Sequence, residues 1–254
     1  MKISAFVLAV LLSVSGFGWD NLDYGIPAGG GTNELLIIDR EGYAVGYDTV
    51  HRQPRWVSYR LTAEEALQRH GMKRTNDFRE DERVPTEFRS TLEDFRGSGY
   101  DRGHLAPAAD MAWSTNAMSE SFYLSNMSPQ APDFNRGIWK ELESWVRDVA
   151  ERETNLVVIS GCIFKGCRGS IGENKVAVPW GYYKVLYDET EPKKMIGFLL
   201  PNCGSNKPIK DYACSVRMVE AISGLDFFSL LDVDEQEKLE YQNRFDEWEG
   251  NMNY

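Results

Sequence analysis

The chain is short of the residues from which soft-metal and covalent-catalysis sites are made: it holds three histidines and four cysteines in 254 residues. With no C-x-x-C spacing and no second histidine near either cysteine pair, a zinc finger or ribbon has little to be built from. An excess of positive charge is also missing. Lys and Arg number 28 against 39 Asp and Glu, a formal net charge of −11, which excludes histone-like, globally basic binding to nucleic acid. There is no internal repeat, no low-complexity linker and no break in composition, so arrays and multi-domain strings are excluded. Beyond the first eighteen residues no apolar run is long enough to span a bilayer.

What is present describes a folded protein. Hydrophobic residues make up 42% and aromatics 12%, enough for a substantial core in one domain. The opening "MKISAFVLAVLLSVSGFG" has one Lys, an apolar run and small residues at Gly16 and Gly18. That is the layout of a secretory signal peptide over 1–18, with an uncleaved anchor as the alternative, and it lacks the Arg-rich amphipathic character of a mitochondrial transit sequence. The expectation is a secreted or periplasmic protein, not stably membrane-associated after cleavage, with a single domain over 19–254. Export would permit disulfides, and the spacings favour two local pairs, Cys162–Cys167 and Cys203–Cys214.

Periodicity gives the elements. "LLIID", "YAVGYD" and "RWVSYRLT" between 35 and 62 form a β-meander by alternation and short connections. "TAEEALQRHG" reads as a short helix with Thr62 as N-cap, and 72–100 as mostly loop. "SFYLSNMSPQ" offers a strand ending at Asn126. "NRGIWKELESWVRDVAER" is the clearest helix, with Ile138, Leu142, Trp145 and Val149 on one face and Asn135 at the N-cap position. Three strands follow in "NLVVISGCIF", "KVAVPWGYYKVLYD" and "MIGFLLPN". A helix around "SVRMVEAISGL" and a charged helical tail from Asp232 complete the chain. One α+β domain with antiparallel strands is the economical architecture.

Charge is not evenly spread. Residues 51–140 carry thirteen cations and thirteen anions, and eleven of those cations are arginines, the side chain suited to bidentate phosphate contacts. Within this third lies "GSGYDRGHLAPAADM", with His104 at its centre. A four-letter Asp–Arg–Gly–His run is weak by itself, and a lone histidine is more often structural than catalytic. Its company raises its interest: Arg102 offers a fork for phosphate, Gly103 permits a close approach, and Asn126 and Asn135 lie at the mouths of elements downstream. Taken alone, Asn135 is a helix cap, Glu143 a solvated helix residue and Asp101 a structural acid.

"YDRGHLAPAADM", "FYLSNMSPQAPDFNRGIWKELE" and "NDFREDE" resemble the DNA/RNA non-specific endonucleases, the ββα-metal or His-Me finger nucleases, and among them the endonuclease G-like members. The resemblance runs from about residue 35 to 232, in order and at family spacing. It implies a ββα-metal fold, a central antiparallel sheet flanked by helices. It further implies a sugar-non-specific endonuclease that hydrolyses DNA and RNA to 5′-phosphate products. By the same resemblance His104 is the general base, and Asn135 the direct ligand of one Mg²⁺ (or Mn²⁺). Glu143 then orients metal-bound water, and Asn126 shapes the site near the base. Arg102 serves the phosphate from within the motif, and either Arg74 or Arg79 is the transition-state arginine, with Arg79 and Arg136 as substrate-binding candidates. Phe122 stands where some relatives carry a polar residue. A homodimer and a protein inhibitor are left open. So are two other functions: a nucleic-acid-binding protein on this fold without catalysis, and a zinc-dependent secreted hydrolase, which would need a second His or Cys beside His104.

Overall fold

In the computed structural model the described residues are 20–29, 35–68 and 72–249; the N-terminal segment read as a signal peptide lies outside them, as does His70. No helix among them is long and apolar enough to cross a membrane.

The backbone of the molecule is a seven-stranded antiparallel sheet. Three strands come from the meander: β1 (Leu35–Asp39), β2 (Ala44–Asp48) and β3 (Gln53–Thr62). Alternation along β3 sends Trp56 to one face and Val57 and Tyr59 to the other. The hairpin β4 (Asp101–His104) and β5 (Met127–Gln130) stands apart from the sheet. The sheet then continues through β6 (Asn155–Ile163), β7 (Gly181–Asp188), β8 (Lys194–Pro201) and β9 (Ala213–Cys214), in the order β9-β8-β7-β6-β3-β2-β1.

Helices cover both faces, giving two core layers. Thr62 caps α1 (Ala63–Gln68) through a reciprocal box with Glu65: Glu65 N donates to Thr62 Oγ1 at 3.2 Å, and Thr62 N to Glu65 Oε2 at 2.9 Å. With α2 (Lys140–Glu153) it packs on the layer holding Val57, Tyr59, Trp139, Leu142 and Val146. On the other face α3 (Val216–Ser223) and α4 (Val233–Glu240) cover Trp56, Ile159, Val185 and Phe227. Ser215 accepts from Met218 N as the cap of α3, and Gly224 ends it in the left-handed region at φ +73°.

Three expectations are corrected here. The strand placed before Asn126 begins after it, at Met127, because Leu124–Asn126 is a 3₁₀ turn. The long helix starts at Lys140; residues Phe134–Trp139 form a wide turn broken at Gly137 (φ −104°, ψ −114°), so Asn135 caps no helix. The four cysteines are free. Cys162 is buried on β6 with its thiol directed at Ser128 Oγ, 3.4 Å away. Cys214 packs with the layer under α3 while Cys203 is exposed.

Candidate active site

The hairpin is where chain geometry becomes chemistry. Opposite Gly103 lies Ser128, and a Cβ at 103 would come within 2.1 Å of the Gln130 side chain. With the buried Gln130 side chain lying across position 103, a glycine there avoids the clash, which gives a reason for the third residue of the Asp–Arg–Gly–His run. The hairpin is tied to the large sheet through β5. Ser128 Oγ and the Tyr182 hydroxyl lie 2.8 Å apart, Tyr182 also donates to Pro129 O at 2.8 Å, and Asn202 Nδ2 donates to the same carbonyl at 3.0 Å.

At the end of β4, His104 is 9% exposed and its Nε2 has no hydrogen-bond partner. The ring is held by Phe122, edge-on at 5.0 Å, and by Phe78 at 5.6 Å. Burial, reinforced by the positive charges of Arg74 and Arg102, pushes its pKa down to about 3. The imidazole is therefore neutral across the physiological range, with a free lone pair or proton at Nε2.

A groove of about 690 Å³ opens before it, lined by Arg74, Phe78, Asp101, Arg102, His104, Asn135, Arg136, Lys140, Glu143 and Arg147, with the 107–109 turn. Five of these are cations and two are carboxylates, so the groove is locally positive on an acidic chain. Arg102 stacks over Phe78 at 4.2 Å and Arg74 over Phe122 at 5.0 Å, leaving both guanidinium edges exposed for an anion.

Asp101 organises the opposite wall. It receives Asn135 Nδ2 at 2.8 Å, Arg136 Nε at 2.8 Å and Arg136 Nη2 at 2.6 Å. Partial burial would raise its carboxyl, yet the bonds from Arg136 and Asn135 hold it below the usual carboxylate range. An ionised carboxylate only accepts, so the amide nitrogen of Asn135 must face Asp101 and its oxygen must face away. Glu143, half-buried one helical turn inside α2, completes the groove floor. Burial pushes its carboxyl up, with Lys184 opposing and Asp110 adding to the rise. The available donors are hard oxygens, one amide and one carboxylate, with no thiol among the lining residues. That set fits a Mg²⁺-class ion that keeps most of its waters, and does not fit zinc.

Two expected site residues lie elsewhere. Asn126 is fully buried and outside the groove lining. Its Oδ1 accepts from Ala106 N at 2.9 Å while Nδ2 donates to Ala106 O at 2.9 Å and Ser121 O at 2.8 Å. It clamps the backbone just after His104, a positioning role. Arg79 is spent internally, donating to Asp77, Ser119 O and Ser119 Oγ, and lies 3.9 Å from the Tyr123 ring. Arg74 is therefore the one of the two that reaches the groove.

A charged layer that the sequence reading missed lies beneath. Arg147 pairs with Asp110 at 2.7 Å, Tyr59 donates to Asp110 at 2.7 Å, and fully buried Lys184 donates to Ser160 Oγ at 2.6 Å. Burial lowers the Lys184 ammonium while Glu143 and Asp110 restore part of it. Asp110 between Ala109 and Met111, and Lys184 between Tyr183 and Val185, charged residues inside apolar runs, are the faint sign that could have pointed there.

Residues 21–234 match the family model of the DNA/RNA non-specific endonucleases. Nuclease C1 of Cunninghamella echinulata var. echinulata is 39% identical over 212 residues, covering 78% of this chain and 84% of the relative. The mitochondrial nuclease 1 of Schizosaccharomyces pombe is 37% identical over 225 residues, covering 81% and 69%. The chain resembles the endonuclease in a solved EndoG/EndoGI complex with a TM-score of 0.76 at 34% identity, covering 84% of this chain and 91% of that one. The expectation of an exported protein is overturned here. The S. pombe relative and the endonuclease G relatives of Bos taurus and Homo sapiens are named mitochondrial, against the expected secretion.

Proposed function

The chain belongs to the DNA/RNA non-specific endonucleases, and from that premise we propose that it hydrolyses phosphodiesters in the groove with His104 as general base and one Mg²⁺-type ion on Asn135, leaving 5′-phosphate ends. The observation that supports this best is the unpartnered Nε2 of a neutral His104 facing the same groove as Asn135 and Glu143. Water beside a substrate phosphate gives its proton to Nε2, a step that positioned bases accelerate by about 10²–10⁴-fold. The imidazolium so formed is disfavoured by burial and by Arg74 and Arg102, and the anionic substrate offsets that field only while it is bound. Arg74 and Arg102 take the phosphate oxygens, with Arg136 and Lys140 along the rim. Phe78 and Phe122 keep the ring in one orientation and bulk water away from it. When bound on the Asn135 oxygen, with Glu143 holding its waters, Mg²⁺ or Mn²⁺ would neutralise the phosphate and stabilise the leaving 3′ oxygen. Contacts of this kind go to phosphate and carry no base sequence, consistent with a non-specific enzyme.

Digestion of plasmid and of RNA in Mg²⁺, Mn²⁺ and EDTA, beside His104→Ala, tests this. The expected result is cleavage of both substrates by the wild type, abolished by EDTA and greatly slowed in the variant. Intact substrates in both metals would favour the catalytically silent nucleic-acid binder instead. The solved complex of EndoG with EndoGI supports, as part of the same proposal, that a protein inhibitor binds this chain; one that entered the groove would have to be acidic to match its cations.

A further inference from the structure

On the face of the sheet away from the groove, three carboxylates converge. Glu220 lies in α3, Asp226 in the short strand Leu225–Asp226, and Glu240 ends α4. One oxygen from each lies within 4.8 Å of the other two. The cation among them is Arg217, with Nη1 3.0 Å from Glu220 Oε2 and Nη2 2.8 Å from Glu240 Oε2. With all three acids ionised, one guanidinium leaves two negative charges uncompensated.

Glu240 makes this more than a surface acidic patch. Its residue is 0% exposed, and its Oε1 is buried without a hydrogen-bond donor. A buried carboxylate oxygen left bare is costly, and native structures relieve it with a proton or an ion. We propose that Glu220, Asp226 and Glu240 form a second cation site, selective for a hard divalent ion of the Ca²⁺ class and independent of the nuclease centre. Oxygen-only donors suit that class, and donor separations up to 4.8 Å fit ligands about 2.3–2.6 Å from a common ion. The two uncompensated charges match a divalent ion, and the C-terminal ends of α3 and α4 add negative potential. A pocket of about 500 Å³ lined by Ala28, Gly29, Arg217, Glu220, Gly224 and Asp226 opens onto two of the three acids, with Glu240 behind them. A bound ion would link α3, α4 and the strand pair Ala28–Gly29/Leu225–Asp226, stapling the outer layer.

The test is thermal unfolding of the full chain, stripped with chelator and titrated with CaCl₂ to about 1 mM, the range of loosely held sites. Wild type, Asn135→Ala, Asp226→Asn and Glu240→Gln are compared, with Tb³⁺ luminescence as a direct binding readout. The expected result is a Tm rise of several degrees in wild type and Asn135→Ala. Asp226→Asn and Glu240→Gln should show none and bind Tb³⁺ roughly tenfold more weakly or worse. Because Asp226 is exposed, its variant folds even if loss of Glu240 proves disruptive. A wild-type Tm indifferent to calcium overturns the proposal. So does a shift that survives in both acidic-cluster variants, or one that disappears in Asn135→Ala.

Discussion

Asn135 gives its amide nitrogen to Asp101 at 2.8 Å, and that single bond decides which atom of the amide the groove receives. Asp101→Asn leaves the packing intact but offers the amide a choice of partner. It should weaken the Mg²⁺ requirement constant by roughly 10- to 100-fold, the usual cost of losing a ligand's supporting hydrogen bond. Activity titrated against Mg²⁺ reads this directly; an unchanged midpoint would show that Asp101 does not orient Asn135.

His104 stays neutral in the fold, with its pKa down at about 3, whereas in the unfolded chain it takes a proton below about 6.5. The unfolded state binds more protons between these values, so stability is full above the unfolded value and falls as pH drops toward 3. Urea unfolding at pH 5 and pH 7 should show a smaller loss in His104→Ala than in wild type. An equal loss in both would mean that another group carries the acid sensitivity.

Arg74 and Arg79 should separate cleanly. Arg74→Ala removes an exposed cation of the groove and should cut kcat/KM at least tenfold with Tm unchanged. Arg79→Ala breaks bonds to Asp77 and Ser119 and should lower Tm, with kcat/KM per folded molecule little altered. Exchange of those two phenotypes would reverse the assignment.

Gly103→Ala puts a Cβ within 2.1 Å of Gln130 and should destabilise by about 1–3 kcal/mol, as overpacking does. Gln130→Ala on top of it makes room and should restore both stability and cleavage. Failure of the double variant to recover would move the cause from side-chain crowding to the backbone.

The elements that could be read from the sequence were those whose environment repeats along the chain. The meander 35–62 alternates because each strand faces two different layers, and α3 announces itself by Ser215 and Gly224. Strand β5 did not, because all four of its residues are buried and "MSPQ" carries neither alternation nor β-branched residues. The wide turn at 134–139 was hidden by Ile138 and Leu142, whose spacing continues that of α2 straight through it. In the site, His104, Asn135 and Glu143, singled out through the family resemblance, line one groove. Asn126 reaches the site only through backbone, and the choice between Arg74 and Arg79 depended on what Ser119 and Tyr123 do from another segment. Lys184 was invisible, since a lysine on a strand reads as solvent-facing until Trp139, whose ring lies 4.7 Å from its ammonium, is known to cover it.

The positive groove sits on a chain of net charge −11, and this gives the enzyme an opposing pair of long-range forces. The net negative charge opposes a polyanion away from the groove, so productive encounters are biased towards it. Added salt weakens the pull of the groove, yet it also mutes the repulsion of everything around it. The enzyme should therefore tolerate ionic strength better than a uniformly basic nuclease, whose only electrostatic contribution is the attraction that salt removes.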